Sequence, residues 1–400
     1  MKYVKPFNFK GVIILISVIM LLSVCFYGMF SLKSVILIDD GRINEKKEMP
    51  VLSPDDFKLE DIYSKQSMFQ VYEIVNMSQG VNGIAVGDFN NDGLIDFAVD
   101  NDSENSSTIS IFYNEGENYK FSRFDINFKT NYSIKSLLAN DFNNDGMIDF
   151  VFSYSEYEWF NGMPYNVYGV TSILFGEGDS VFRNETVICR RGSGISKDAE
   201  GRINPRVISA DFDLDDDIDL LIGDNSGKVE LLLNDGNGVF EPSGYIEDFG
   251  RLSWGLASDD FDLDGDIDFV VSSLVGDNVT MGCISLKENK FLESKNSACF
   301  DMDGKRLIAN LSFVPAVANL ASIDYDNDRD FDLIVGTSIV LYLLRNENGT
   351  FFPVVIGHSN EGEQGFETMH HYGLAVADFN NDRYDDFLLG TSGGKIRLFL

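Results

Sequence analysis

The sequence predicts an all-β protein: a six-bladed β-propeller of four-stranded blades, closed by its N-terminal strand and preceded by one N-terminal transmembrane helix. Three observations carry that reading. A nine-residue acidic motif recurs six times between residues 88 and 386. Each copy sits within the same succession of four short apolar runs, separated by turns rich in Gly and Asn. An uncharged stretch at 11–32 stands apart from everything that follows.

Composition sets the outer limits. The 400 residues are 44% hydrophobic and 13% aromatic, enough for a sizeable core, so the chain is not a disordered acidic polymer. Its 64 acidic residues against 31 basic ones leave a net charge of −33, which repels phosphate backbones and excludes nucleic acid as a partner. Clustered carboxylates call instead for bound cations. Three histidines and four cysteines are scant material for a zinc or haem site.

Taken in order, 1–10 is a short N-terminus carrying Lys2, Lys5 and Lys10, which favours its retention in the cytoplasm. Residues 11–32 form the transmembrane signal anchor: as a helix they span roughly 33 Å, against about 30 Å of hydrocarbon. The run is longer than an ordinary signal-peptide core, and no A-x-A-like site follows it, so an anchor is preferred to a cleaved peptide. Residues 33–66 read as a polar stalk without a clear period. Residues 67–400 are the propeller, placed outside the cytoplasm by the direction of the anchor.

The six motifs are DFNNDGLID at 88–96, DFNNDGMID at 141–149, DFDLDDDID at 211–219, DFDLDGDID at 260–268, DYDNDRDFD at 324–332 and DFNNDRYDD at 378–386. Their starts are separated by 53, 70, 49, 64 and 54 residues, a spacing that belongs to a radial array rather than to separate folds. An apolar strand precedes each motif, another follows it, and two more complete the unit, with no helical period. The sixth unit ends at KIRLFL, 395–400, its third strand. An unassigned strand, MFQVYEIV at 68–75, precedes the first motif and supplies the missing fourth, closing the ring.

Side chains at positions 1, 3, 5 and 9, with the carbonyl of 7, can wrap a hard cation that wants six to eight oxygens. The candidate calcium ligands are therefore Asp88, Asn90, Asp92 and Asp96; Asp141, Asn143, Asp145 and Asp149; Asp211, Asp213, Asp215 and Asp219; Asp260, Asp262, Asp264 and Asp268; Asp324, Asp326, Asp328 and Asp332; and Asp378, Asn380, Asp382 and Asp386. That makes up to six structural Ca²⁺ ions. An EF-hand needs a Glu at position 12, where these loops carry Val99, Phe152, Ile222, Val271, Val335 and Leu389. Gly93, Gly146 and Gly265 suit the sharp turn at position 6; Asp216, Arg329 and Arg383 depart from it.

On DFNNDGxxD, DFDLDGDID and the LLLNDGNGVF segment at 231–240, residues 68–400 resemble the FG-GAP/VCBS-type repeat family, relatives of the integrin α-subunit propeller. The literal Gly-Ala-Pro signature is absent, which brings the likeness nearer to prokaryotic FG-GAP-like repeats. The resemblance implies calcium-stabilised blades and an extracellular binding or adhesion role, with polysaccharide lyases as a minority of members.

Antiparallel order puts the acidic loops on one face and the longest insertions on the other. The segment 155–168 carries Tyr157, Trp159, Phe160, Tyr165 and Tyr168, which suit stacking on sugar rings or anchoring a protein. The segment 189–206 carries Arg190, Arg191, Lys197, Arg202 and Arg206, a basic concentration suited to an acidic glycan or a carboxylate-bearing partner. Insertions at 300–317 and 357–372 join them on that face; the last holds His370 and His371 beside Glu367. No nucleophile–base pair is legible, so no catalytic residue is assigned. The expected function is a membrane-anchored binding or adhesion module for an extracellular glycan or protein, the alternative being a lyase-like, polysaccharide-active enzyme working on the same face. Cys283 and Cys299 are a candidate disulfide in blade four.

Overall fold

The computed structural model describes residues 35–39 and 42–47 and, from 68 to 400, all but 102–106, 117–118, 129–132, 161–162, 179–180, 184, 194–204, 225–226, 250–254, 275–281, 290–301, 312–316, 338–339, 348–349 and 359–372. The expected membrane segment, 11–32, lies outside these residues. Among the described residues no helix is long and apolar enough to cross a membrane.

The chain divides into two units, Met1–Ser67 and Met68–Leu400. In the first, β1 (Val35–Asp39) pairs antiparallel with β2 (Arg42–Lys47). The stalk therefore contains a hairpin where the sequence reading expected none. Its signal is the Asp-Gly pair at 40–41 between the strands, a two-residue connection that favours a type I′ turn.

The second unit opens with β3 (Val71–Asn76). Blade 1 holds β4 (Ile84–Gly87), β5 (Asp96–Asp100), β6 (Ser107–Asn114) and β7 (Phe121–Phe128). Blade 2 holds β8 (Ile134–Asn140), β9 (Asp149–Phe160), β10 (Met163–Leu174) and β11 (Thr186–Ser193). Blade 3 holds β12 (Arg206–Ala210), β13 (Asp219–Gly223), β14 (Lys228–Asn234) and β15 (Phe240–Asp248). Blade 4 holds β16 (Leu256–Asp259), β17 (Asp268–Leu274), β18 (Gly282–Asn289) and β19 (Met302–Leu311). Blade 5 holds β20 (Val317–Ile323), β21 (Asp332–Thr337), β22 (Val340–Glu347) and β23 (Thr350–His358). Blade 6 holds β24 (Leu374–Ala377), β25 (Asp386–Gly390) and β26 (Lys395–Phe399), and β3 is its fourth strand.

Closure follows the expected route. Gln70 and Leu400 exchange two backbone hydrogen bonds of 2.9 Å, and β3 pairs antiparallel with β26. Phe69 is the apolar latch, buried against Phe387, Phe399 and Tyr325 at ring separations of 5.0, 6.2 and 5.6 Å.

Second strands such as DFAVD, DLLIG, DLIVGT and DFLLG are buried along their whole length, because a neighbouring blade covers each of their faces. That is why they read as continuous apolar runs and not as alternating ones. The hydrophobic clusters accordingly lie between adjacent blades. Phe97, Val99, Leu388 and Leu398 join blades 6 and 1, while Ile111, Leu137 and Phe150 join blades 1 and 2. Some inner strands approach so closely that only glycine fits: a Cβ at Gly373 overlaps Ile84 of blade 1, and one at Gly255 meets Leu320 Cγ of blade 5 at 2.9 Å.

Three expected insertions change character. The 155–168 segment is not a loop: β9 and β10 continue through it as paired strands, Tyr157 opposite Val167 and Trp159 opposite Pro164. The 189–206 segment begins within β11 and ends within β12. The 300–317 segment contains β19, so the long connection of blade 4 is 290–301, between its third and fourth strands. Cys283 pairs in register with Asn310, while Cys299 lies outside the described residues.

Candidate functional site

All six acidic loops bridge first and second strands in one register, with position 9 opposite the last residue of the first strand, as in Gly87–Asp96 and Ala210–Asp219. Position 1 accepts two backbone hydrogen bonds: Asp88 takes the N–H of Asp92 at 3.0 Å and of Gly93 at 2.8 Å. The same pair recurs at Asp211 (from Asp215 and Asp216, 3.1 and 3.0 Å) and at Asp378 (from Asp382 and Arg383, 3.0 and 2.8 Å). Position 5 accepts the N–H of position 7, as Asp145 does from Met147 at 2.9 Å. The loops with Asp216, Arg329 and Arg383 at position 6 thus fold like the glycine loops, at φ of 71°, 75° and 74°. Among the described residues neither Arg329 nor Arg383 forms an ion pair.

Position 9 is the buried anchor. Asp219 accepts the N–H of Phe212 at 3.0 Å on one oxygen and that of Asn234 at 2.8 Å on the other. Asp96, Asp149 and Asp332 repeat the arrangement. Burial, reinforced by neighbouring loop carboxylates and opposed by these N–H groups, pushes Asp96 and Asp149 up to about 6, and Asp219, Asp332 and Asp386 to about 7. Position 2 carries an aromatic ring into the core shared with the next blade: Phe142 packs among Val207 and Leu220, and Tyr325 packs against the blade 5–6 cluster. Loop conformation and blade packing are therefore one structure.

The donor set fits a hard divalent cation. One oxygen from each of Asp211, Asp213 and Asp219 lies within 4.8 Å of the others, and so do those of Asp260, Asp262 and Asp268, and of Asp324, Asp326 and Asp328. Ligands of a calcium ion, at 2.3–2.6 Å from it, sit at such separations. Asp213 Oδ1 is buried without a hydrogen-bond donor, and burial together with Asp215 and Asp211 pushes its carboxyl up to about 6. Each carboxylate oxygen already accepting one N–H keeps a second lone pair for a metal.

Residues 88–152, from the first loop into the second strand of blade 2, match the FG-GAP-like repeat family model. This segment is an FG-GAP-like repeat. Among solved structures, the chain is similar to that of BBS1N in complex with ARL6DN, soaked with lead, at 10% identity and a TM-score of 0.45, covering 84% of this chain and 98% of that one. No curated protein matches the chain. The FG-GAP-like segment holds two of the six acidic loops, and the other four share its geometry.

On the opposite face the basic concentration is dispersed. Arg190 donates to Glu156 at 2.7 Å, lies 3.5 Å from Glu158 and stacks 3.7 Å above the Tyr168 ring. Arg191 pairs with Glu230 at 2.5 Å. Arg206 is buried at the end of the central channel, donating to the carbonyls of Lys135 and Asn82. Tyr157 is half-buried on β9. The side chains of Trp159, Phe160 and Tyr165 lie outside the described set, as do Lys197, Arg202, Glu367, His370 and His371.

Two kinds of residue escape the sequence reading. Position 4 also has positive φ in every loop, at Asn91, Asn144, Leu214, Leu263, Asn327 and Asn381; the Asn in four of them was the available signal. An Asn at or next to the end of some third strands is an inter-blade clamp. Asn234 Nδ2 donates to Ile218 O of its own loop at 3.1 Å and to Phe142 O of blade 2 at 2.8 Å. Asn114 and Asn346 do the same to blades 6 and 4.

Proposed function

We propose that this chain is a membrane-anchored, extracytoplasmic propeller that carries up to six structural calcium ions and serves as a binding or adhesion module, presenting the face opposite its acidic loops to a glycan or a protein. The observation that supports it most is the common geometry of the six loops, with four oxygen-bearing ligand positions each and a position-2 ring locked into the next blade. Calcium in those loops holds the blades in register and leaves the other face to recognition. The paired strands around Tyr157 extend blade 2 on that face. Anchoring rests on the uncharged run 11–32 behind Lys2, Lys5 and Lys10.

The test uses the full chain in detergent with millimolar calcium, applied to immobilised acidic and neutral polysaccharides and to extracellular protein extracts, with soluble product scored alongside retention. Retention without product is expected and should weaken on shortening the β9–β10 hairpin. Release of unsaturated oligosaccharide would replace the binding reading with a lyase.

A further inference from the structure

The six inner strands bring one residue each to the same level at the channel end away from the acidic loops: Gly83, Ser136, Arg206, Gly255, Asn319 and Gly373. All of these but Gly255 line a cavity of about 90 Å³ that opens into a wider channel of about 290 Å³. Ser136 is used locally, its hydroxyl 3.3 Å from both the N–H and the carbonyl of Val207. The other two polar side chains are not saturated.

Arg206 is only 8% exposed. Its Nη1 donates to Lys135 O and, at 3.3 Å, to Asn82 O; its Nε and Nη2 hydrogens have no acceptor among the described residues. Burial lowers its pKa to about 10, so the guanidinium stays charged at neutral pH. Asp100, the carboxylate that acts on it, receives Asn82 N, Asn82 Nδ2 and Gly83 N at 2.6, 2.9 and 2.8 Å. Two blades away, Asn319 Nδ2 is buried without an acceptor. Both residues line the same cavity, whose wall also includes the polar Asn82 and Ser136 and the apolar Ile84, Leu137, Leu256 and Leu320. Buried donors without acceptors are rare, and a cavity that places one, Asn319 Nδ2, on the same lining as a guanidinium is suited to receive an anion.

We propose that this channel mouth binds a single carboxylate group, held by Arg206 and the Asn319 amide, on a small or chain-terminal acid whose apolar part lies along the leucine-lined wall. It rests on the reading of this face as the binding face and gives that face a ligand class. Asp100 already offsets part of the guanidinium charge, so a singly charged carboxylate is accommodated better than a phosphate or sulfate, which brings about two negative charges.

The test is saturation-transfer NMR of the full chain in detergent with calcium, titrated with butyrate, with inorganic sulfate as competitor. Butyrate binding is expected, weakened about tenfold or more by R206K and about threefold or more by N319A, whose melting temperature stays at the wild-type value. Arg206 also ties three blades together, so N319A carries the test if R206K fails to fold. Absence of butyrate binding, undiminished affinity in N319A, or sulfate binding tighter than butyrate each overturns the proposal. Polysaccharide or protein retention without butyrate binding removes this site and leaves the face's wider role standing. Butyrate binding without macromolecular retention supports the site alone.

Discussion

Withdrawing calcium should destabilise the propeller strongly at pH 8 and barely at pH 5. The reason lies at position 9. Asp219, with no exposed surface, is held at about 7 against an ordinary 3.8. A carboxyl whose folded-state pKa is raised disfavours the folded chain once it is ionised. Between pH 4 and 7 the folded state holds a proton that the unfolded state has lost, so stability of the calcium-free chain falls as pH rises through that window. A difference of about three pH units corresponds to roughly 4 kcal/mol at pH 8 for one loop, an upper value because water reaches the loop from outside. Asp96, Asp149, Asp332 and Asp386 add to it in the same direction. A bound ion reverses the penalty by favouring the charged form. For a domain of this size 1 kcal/mol moves the melting temperature by about 1.5 °C, so each loop contributes up to about 6 °C. The assay is a melting series from pH 4.5 to 8.5 with calcium and with chelator. The two curves should diverge upward from about pH 6. Equal chelator shifts at pH 5 and pH 8, or calcium-free stability that rises across pH 4–7, would refute the reasoning.

Replacing Asn234 with Ala should cost about 2–4 kcal/mol, because the carbonyls of Phe142 and Ile218 lose their donor in a buried place; denaturant midpoints measure it. Leu214→Gly and Leu263→Gly should each raise the melting temperature slightly, by relieving about 1 kcal/mol of left-handed strain at φ 59° and 61°. Gly373→Ala should cost about 1–3 kcal/mol by forcing blade 6 away from Ile84, and differential scanning calorimetry should show it. Gly244→Ala, with φ of 86° and nothing within 4 Å, should lose only about 1 kcal/mol of backbone conformational energy.

Much of the ring was legible because its determinants are local and repeated. The spacing of carboxylates fixes a loop, the apolar run after it fixes a strand buried on both faces, and the count of loops fixes the count of blades. The strand at 68–75 was readable as a closure because the sixth unit lacked one. What the sequence concealed was set by neighbours. Nothing in Arg206's immediate context marks it as a channel residue; its partners, the carbonyls of Lys135 and Asn82, come from two other blades. Arg190 and Arg191 read as a free basic patch because Glu156 and Glu230, far away in the chain, were not visible as their partners. Tyr157 and Tyr168 read as a loop because paired strands longer than their blade have the same composition as an aromatic insertion. Residues 302–311 were read as part of an insertion because this fourth strand of blade 4 lacks a Phe-led opening.

The latch between β3 and β26 also sets a clock. The two strands are more than 300 residues apart in the chain, and the ribosome adds about 5–20 residues per second. Once made, β3 therefore waits roughly 15–60 s for its partner. Throughout that interval the nascent chain is an open arc with a bare strand edge at each end. Losing β26 would leave it in that condition permanently, so a stop codon just ahead of Lys395 should be nearly as damaging as one far earlier.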